Sequence, residues 1–189
     1  MIKTKFVFLL VFIFFNNKIL FATEQWVLDN EISTINFEIP LFLAKNVQGK
    51  FKDIDGLVEI DLEKKKNNKG IFSVKIESVE INYSKYRNLL LSDVFFNLQK
   101  YPIALIDTNK FSYNDEKKVE LLVELQIKNK TKAIPVFLEV IRLAEKLVQI
   151  KGELYFLRSD FNLGKGKWSS TAVLKDEIKI QISLFLFKK

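Results

Sequence analysis

Few side chains in this sequence could take part in chemistry, and the residue types that are missing narrow that chemistry further. The 189-residue chain contains no His and no Cys. This composition excludes a Ser-His-Asp or Cys-His catalytic group, a thiol redox couple, a disulfide framework and the usual structural zinc site. We therefore predict no catalytic residue, no bound metal and no cofactor, and we expect the protein not to be an enzyme.

The charged residues around Arg158 are the candidates for contact with a polar group of a ligand. Arg158, Asp160 and the nearby Lys151 could grip a head group such as a phosphate or a quinone oxygen. The alternative is that Arg158 and Asp160 form an ion pair that fixes the end of a strand and the following turn. The spacing of these residues leaves both interpretations open.

Two further patterns suggest binding sites but have simpler explanations. Asp53 and Asp55 share a face of an extended segment, yet no third ligand or neighbouring base accompanies them, which favours a solvated turn. Residues 164–168, GKGKW, lack the spacing and the following helix of a phosphate-binding loop. We predict a flexible loop there, with Trp168 packing at one end of the fold.

The N-terminal segment has the layout of a secretory signal peptide. Lys3 and Lys5 precede ten consecutive apolar residues at 6–15, and a small residue, Ala22, follows. Ten helical residues cover only about half of the ~30 Å hydrocarbon core of a bilayer. We predict cleavage near Ala22, a mature chain over residues 23–189 and a periplasmic or secreted location.

Removal of the signal peptide changes the charge from which a partner would be inferred. Lys3, Lys5 and Lys18 leave with it, so the formal charge falls from +7 to +4. The remaining lysines are spread along the chain without clustered Arg or aromatic platforms, which argues against a nucleic-acid partner. We also expect no stable membrane anchor, since there is no lipobox Cys, and leave a homodimer open.

Apolar and polar residues alternate repeatedly along the mature chain, and this period of two indicates strands with one buried face. The longest alternating runs lie at 35–39, 58–62, 72–78, 119–127 and 178–186, and further strands are predicted at 134–142 and 147–157. Polar turns separate them at 64–70, 114–116, 129–130 and 144–146. Seven or eight antiparallel strands joined by short loops predict an all-β sandwich or up-and-down barrel.

One segment interrupts the alternation of apolar and polar residues. Between Tyr83 and Pro102, Ser84 could cap one short helix, and Ser92 or Asp93 a second that carries Phe95 and Phe96. A helical insertion at about 84–98 is long for a connection, so it is a plug or a lid, or else ordinary core at an open end of the barrel.

In these features the sequence resembles the YceI-like family over roughly residues 24–187. The resemblance rests on several motifs in order, among them 26–29, 33–37, Val47-Gly49-Phe51-Gly56, 78–80, Ser92-Asp93-Phe95-Phe96, 100–102, Leu125-Ile127-Lys128-Thr131-Lys132 and 158–161. Asn129 and Asn162 stand where Gly is frequent, and Asn tolerates the left-handed backbone better than most residues.

The resemblance implies an eight-stranded antiparallel lipocalin-like barrel that carries a polyisoprenoid or other amphiphilic lipid, such as an isoprenoid quinone, in its lumen. The alternation predicts which side chains line that lumen, with the insertion covering it: Phe37, Phe72, Val74, Ile76, Phe95, Phe96, Val123, Leu125, Ile180 and Ile182. The alternative is an envelope stress or adaptor module whose barrel is filled by side chains. A continuous apolar cavity would favour the carrier.

Overall fold

The alternating apolar residues form the strands of a closed antiparallel barrel. A computed structural model describes residues 23–41, 45–61, 66–113, 117–172 and 174–189. The predicted signal peptide and the predicted turn at 114–116 fall outside these residues.

Short strand segments alternate with tight turns along the described part of the chain. The strands are β1 (Thr23–Leu28), β2 (Thr34–Ile39), β3 (Val47–Phe51), β4 (Ile54–Asp61), β5 (Asn68–Lys75), β6 (Val79–Ile81), β7 (Ile103–Phe111), β8 (Lys118–Ile127), β9 (Lys130–Ala144), β10 (Leu147–Leu157) and β11 (Glu177–Lys188). The helical elements are the α-helix α1 (Arg87–Leu91) and 3-10 turns at Ile76–Ser78, Ser84–Tyr86, Arg158–Phe161 and Gly166–Ser169.

Six of these segments are halves of three longer strands. Both β1 and β2 pair with β11. In the next position of the sheet, β4 pairs with β1 and β3 pairs with β2. In the position after that, β5 pairs with β4 and β6 pairs with β3. Within the described residues the sheet therefore has eight antiparallel strands in meander order, and the pairing of β1 with β11 closes it. This confirms the predicted eight-stranded barrel, and the sandwich is excluded.

The break between β1 and β2 shows how polar side chains replace lost ladder bonds. Residues 29–33 bulge away from β11, and the Ser33 hydroxyl accepts from the backbone N–H of Phe185 at 2.9 Å. The side-chain oxygen of Asn30 accepts from the N–H of Ile54 at 2.7 Å. Buried backbone donors thus stay paired where the strand is interrupted.

The structure also corrects two local predictions. The two-residue turn between β8 and β9 is Lys128–Asn129, one residue earlier than predicted, and the left-handed residue in it is Lys128 at φ 58°, not Asn129. The strand predicted through Ser78 ends at Lys75, where a 3-10 turn begins. Asn162 adopts the left-handed backbone, at φ 53°, which Asn tolerates better than most residues.

The insertion contains one helical stretch, and the predicted second helix is wrong. The 3-10 turn at 84–86 runs into α1, but the Ser84 side chain makes no capping hydrogen bond. After α1 the Ser92 hydroxyl donates to the carbonyl of Leu89 at 2.7 Å, and the backbone of Ser92 is extended. Residues 93–100 then form successive turns, with Asn97 left-handed at φ 53°.

Candidate functional site

The inward faces of the strands enclose an elongated apolar cavity of about 540 Å³. All ten side chains predicted to line the lumen do line this cavity: Phe37, Phe72, Val74, Ile76, Phe95, Phe96, Val123, Leu125, Ile180 and Ile182. Their contact with a ligand stays a prediction. An eight-stranded barrel has room either for packed side chains or for one small ligand, and this barrel retains the space.

Inward-facing glycines create part of that space, and the sequence reasoning missed them. Gly49 lies directly opposite Phe37 and Gly56 directly opposite Phe72. A Cβ on Gly49 would lie 2.4 Å from the Phe37 ring, and one on Gly56 would lie 2.2 Å from the Phe72 ring. The rings can therefore lie flat against the wall and not across the lumen. A glycine inside a strand pattern is the signal that would have predicted this close approach.

One end of the cavity is closed by the insertion. Leu90, Phe95 and Leu163 are buried and line the cavity there, and the Phe95 ring lies 6.2 Å from the Trp168 ring. Phe96 packs edge-on against Phe51 at 6.1 Å. We call this end of the barrel the closed end.

Hydrogen bonds from other elements fix the insertion in place. The buried ammonium of Lys128 donates to the carbonyls of Phe95 at 2.9 Å and Asn162 at 3.0 Å. The carbonyl of Val94 accepts from the N–H of Gly164 at 2.9 Å. Burial lowers the pKa of Lys128, the charge of Lys165 lowers it further and Asp93 opposes both. These contacts make the insertion a plug held at its backbone.

Arg158 lies beneath that plug and binds the backbone of the chain itself. Its guanidinium nitrogens donate to the carbonyls of Leu163 and Leu174 at 2.9 Å and of Lys175 at 3.0 Å, with longer contacts to residues 169 and 170. Burial lowers its pKa, and the nearby Asp176 carboxylate opposes that shift. Arg158 also lines the cavity, so its contact with a head group stays a prediction.

The predicted ion pair between Arg158 and Asp160 is wrong. The Asp160 carboxylate lies 3.1 Å from the Lys132 ammonium, whereas the carboxylate nearest Arg158 is Asp176 at 4.0 Å. A 3-10 turn begins at Arg158, so the two side chains leave the backbone in different directions. Lys151, the third predicted member, is exposed on β10 and is absent from the cavity lining.

The opposite end of the cavity reaches exposed, charged side chains, and we call it the mouth. The polar side chains that line it are Glu24, Tyr113, Arg142, Glu145 and Lys188. Arg142 and Glu145 are exposed, and the Lys188 ammonium pairs with the Glu24 carboxylate. The sequence carried a signal for Arg142, because it continues the inward positions 134, 136, 138 and 140 of β9.

The remaining sequence candidates form no site. Asp53 pairs with Lys75 at 2.8 Å, and Asp55 is exposed on β4. In the part of the chain that the structure describes, no three acidic residues come together as a metal site. Residues 166–169 form a 3-10 turn with Gly164 and Gly166 left-handed, and Trp168 packs at the closed end as predicted. The described helices include none long and apolar enough to cross a bilayer.

A meander barrel with an apolar lumen, a plugged end and a charged mouth defines a lipocalin-like barrel. The family model of the YceI-like domain matches residues 26–186, and the chain therefore belongs to the YceI-like family. The UPF0312 protein plu2095 of Photorhabdus laumondii is 32% identical over 85 residues, which are 45% of this chain and 44% of that protein. The match thus spans less than half of that curated relative.

Solved structures share the fold over most of both chains. BcnA of Burkholderia cenocepacia superposes with a TM-score of 0.76 at 22% identity, covering 84% of this chain and 98% of its own. A polyisoprenoid binding domain from Saccharophagus degradans gives 0.70 at 14% identity, with 87% and 98% covered. The Campylobacter jejuni YceI protein gives 0.66 at 27% identity, with 80% and 90% covered.

Proposed function

We propose that this protein binds a polyisoprenoid or similar long apolar lipid in the barrel cavity and carries it outside the cytosol. The observation that carries the proposal is the apolar cavity of about 540 Å³, which runs from the charged mouth to the plug. The Saccharophagus degradans neighbour is described as a polyisoprenoid binding domain, and family membership supports the same ligand class here. A binding role also agrees with the absence of His and Cys.

The energetics suit a ligand without polar groups along its length. Each CH₂-like group removed from water contributes about 0.8 kcal/mol. Ten such groups give about 8 kcal/mol before ordering costs of several kcal/mol are subtracted. The affinity would thus increase with the length of the bound hydrocarbon chain.

The two ends of the cavity set the direction of the bound lipid. The buried apolar side chains Leu90, Phe95 and Leu163 would receive its tail. Arg142, Lys188 and Tyr113 at the mouth would face its head group, which suits a quinone or another oxygen-bearing group. We therefore place the head group at the mouth, since the guanidinium of Arg158 at the other end already donates to backbone carbonyls.

A side-chain-filled barrel acting as an adaptor is the alternative, and the cavity argues against it. The export on which the carrier role depends is supported by the sequence of residues 1–22. An intact mass of the exported product would locate the cleavage site, which we place near Ala22.

Native mass spectrometry and organic extraction of the exported protein test the proposal. We expect a lipid to co-purify, and the variant Ile182→Phe to retain less of it because the larger side chain fills the lumen. Gln181→Phe is the matched control, since Gln181 is exposed on the outer face of the same strand. The carrier proposal would be overturned if the wild-type protein were purified without a ligand and also took up no polyprenol.

A further inference from the structure

Among the eight strands of the barrel, β7 and β8 share the shortest ladder in the described part of the chain. It comprises three residue pairs and ends where Asp107 is opposite Glu124. By comparison, ten pairs join β8 to β9 and eleven join β10 to β11. Beyond this point β7 continues to Phe111 beside β5, and β8 begins at Lys118 beside β9. The ladder therefore stops while both strands still run on toward the mouth.

A bulge in β7 ends the ladder. Thr108 and Asn109 together lie opposite Gly70, because the register on β5 shifts by one residue there. Asn109 is left-handed at φ 51°, and its N–H donates to the Asp107 carboxylate at 2.7 Å. The Thr108 hydroxyl donates to the carbonyl of Asn109 at 3.0 Å and accepts from the N–H of Gly70 at 2.7 Å. Side chains of β7 itself thus engage both backbone groups of Asn109, and such local hydrogen bonds compete with a strand ladder.

The last pair of the ladder also weakens its end. Asp107 and Glu124 are directly opposite on the outer face, and like charges in that position are destabilising. The Lys69 ammonium, 3.2 Å from the Asp107 carboxylate, offsets part of the repulsion. The bulge and the two carboxylates therefore both favour an end of the pairing at this point.

The stretch without ladder pairs lies between the lumen and the outside of the barrel. No ladder pair joins residues 108–111 to residues 118–123, all of which the structure describes, and we call this stretch the seam. On its inner side Leu121 and Val123 line the cavity. On its outer side Leu122 is 62% exposed. Apolar side chains therefore lie on both sides of the wall where the two strands are least firmly joined.

We propose that the seam is a lateral extension of the mouth, at which β7 and β8 part to admit the hydrocarbon chain of a lipid from the side. This inference rests on the proposed lipid binding. Parting strands that share few ladder bonds costs less than parting a fully paired join. Entry through the rim alone would draw the apolar chain past the charged side chains of Arg142 and Glu145 and displace their water. Through the seam the chain enters along its length while the head group stays at the mouth.

Cross-linking across the seam tests the proposal, because the chain contains no Cys that would itself react with a thiol reagent. Continuing the register past the one extra residue of the bulge places Lys110 opposite Leu122, and both are exposed. We expect delipidated Lys110→Cys/Leu122→Cys, joined by a short bifunctional maleimide, to take up polyprenol from phosphatidylcholine vesicles about tenfold or more slowly than the same variant capped with N-ethylmaleimide. Native mass spectrometry follows the uptake, and the amount bound at the end should be the same.

Two further variants make the test specific to the seam. Glu153→Cys/Gln181→Cys is the matched control, since these exposed residues are directly opposite in the continuous ladder of β10 and β11, and the link there should leave the uptake rate unchanged. Deletion of Asn109 removes the extra residue and makes the register of β7 continuous with both neighbours. Uptake by this variant should slow as well, and circular dichroism checks that it is folded.

Three results would overturn the seam as an entrance. These are equal uptake rates with and without the link between positions 110 and 122, an equal slowing by the link in the control pair, or a wild-type rate in a folded Asn109 deletion. If the wild type and the capped variants took up no polyprenol, the lipid-binding proposal itself would be overturned. The two failures are therefore distinguishable.

Discussion

At the residue scale, Arg158 is 2% exposed and makes all of its closest contacts with backbone carbonyls from residues 163–175. The guanidinium supplies hydrogen-bond donors to the backbone carbonyls of a loop beneath the plug, which a neighbouring strand would supply in a sheet. We predict that Arg158→Lys lowers the free energy of unfolding by about 2–4 kcal/mol, because one ammonium cannot reach carbonyls in several directions. Urea denaturation measures the loss, and lipid extraction should show unchanged binding by the folded fraction.

Asp160→Asn is the control for that substitution. Asp160 pairs with Lys132 at an exposed position, so its loss should cost less than about 1 kcal/mol. A stable Arg158→Lys protein that no longer retains lipid would restore Arg158 as a head-group contact.

At the element scale, the insertion is held by Lys128, by the backbone of Gly164 and Lys165 after β10 and by the ring of Trp168. We expect Phe95→Ala to destabilise the barrel by about 3–5 kcal/mol, since the buried ring leaves a cavity at the closed end. Tyr86→Ala, on the exposed part of the same insertion, should change stability by less than about 1 kcal/mol. A movable lid would behave differently, because Phe95→Ala would then alter lipid exchange and leave the melting temperature unchanged.

At the scale of the whole molecule, the barrel has one plugged end and one charged end, so lipid should enter through the mouth. Because the chain contains no Cys, single cysteines can be labelled selectively. We predict that a bulky maleimide on Val140→Cys, which lines the cavity near the mouth, slows polyprenol uptake by delipidated protein. The same label on Lys165→Cys, exposed at the closed end, should leave uptake unchanged. Slower uptake only with the second label would place the entrance at the plug.

The local pattern of the sequence was enough to predict seven of the strands and the inward side of the alternating runs. Period-two alternation is a property of neighbouring residues, so Phe37, Val123 and Ile182 could be assigned to the lumen without knowledge of strand pairing. The helix predicted after Ser92 failed because side-chain hydrogen bonds and a left-handed Asn97 favour turns there.

The contacts of the charged and exposed residues depend on the closed barrel and could not be predicted from the local pattern of the sequence. The partners of Arg158 come from a loop that follows it, and the mouth brings Glu24 beside Lys188 from opposite ends of the mature chain. Phe187 likewise lies beside Val27 on the outer face only because β11 closes against β1 in one register. These arrangements depend on pairing between residues far apart in sequence, which local periodicity does not encode, whereas the apolar lumen follows from periodicity once the sheet closes.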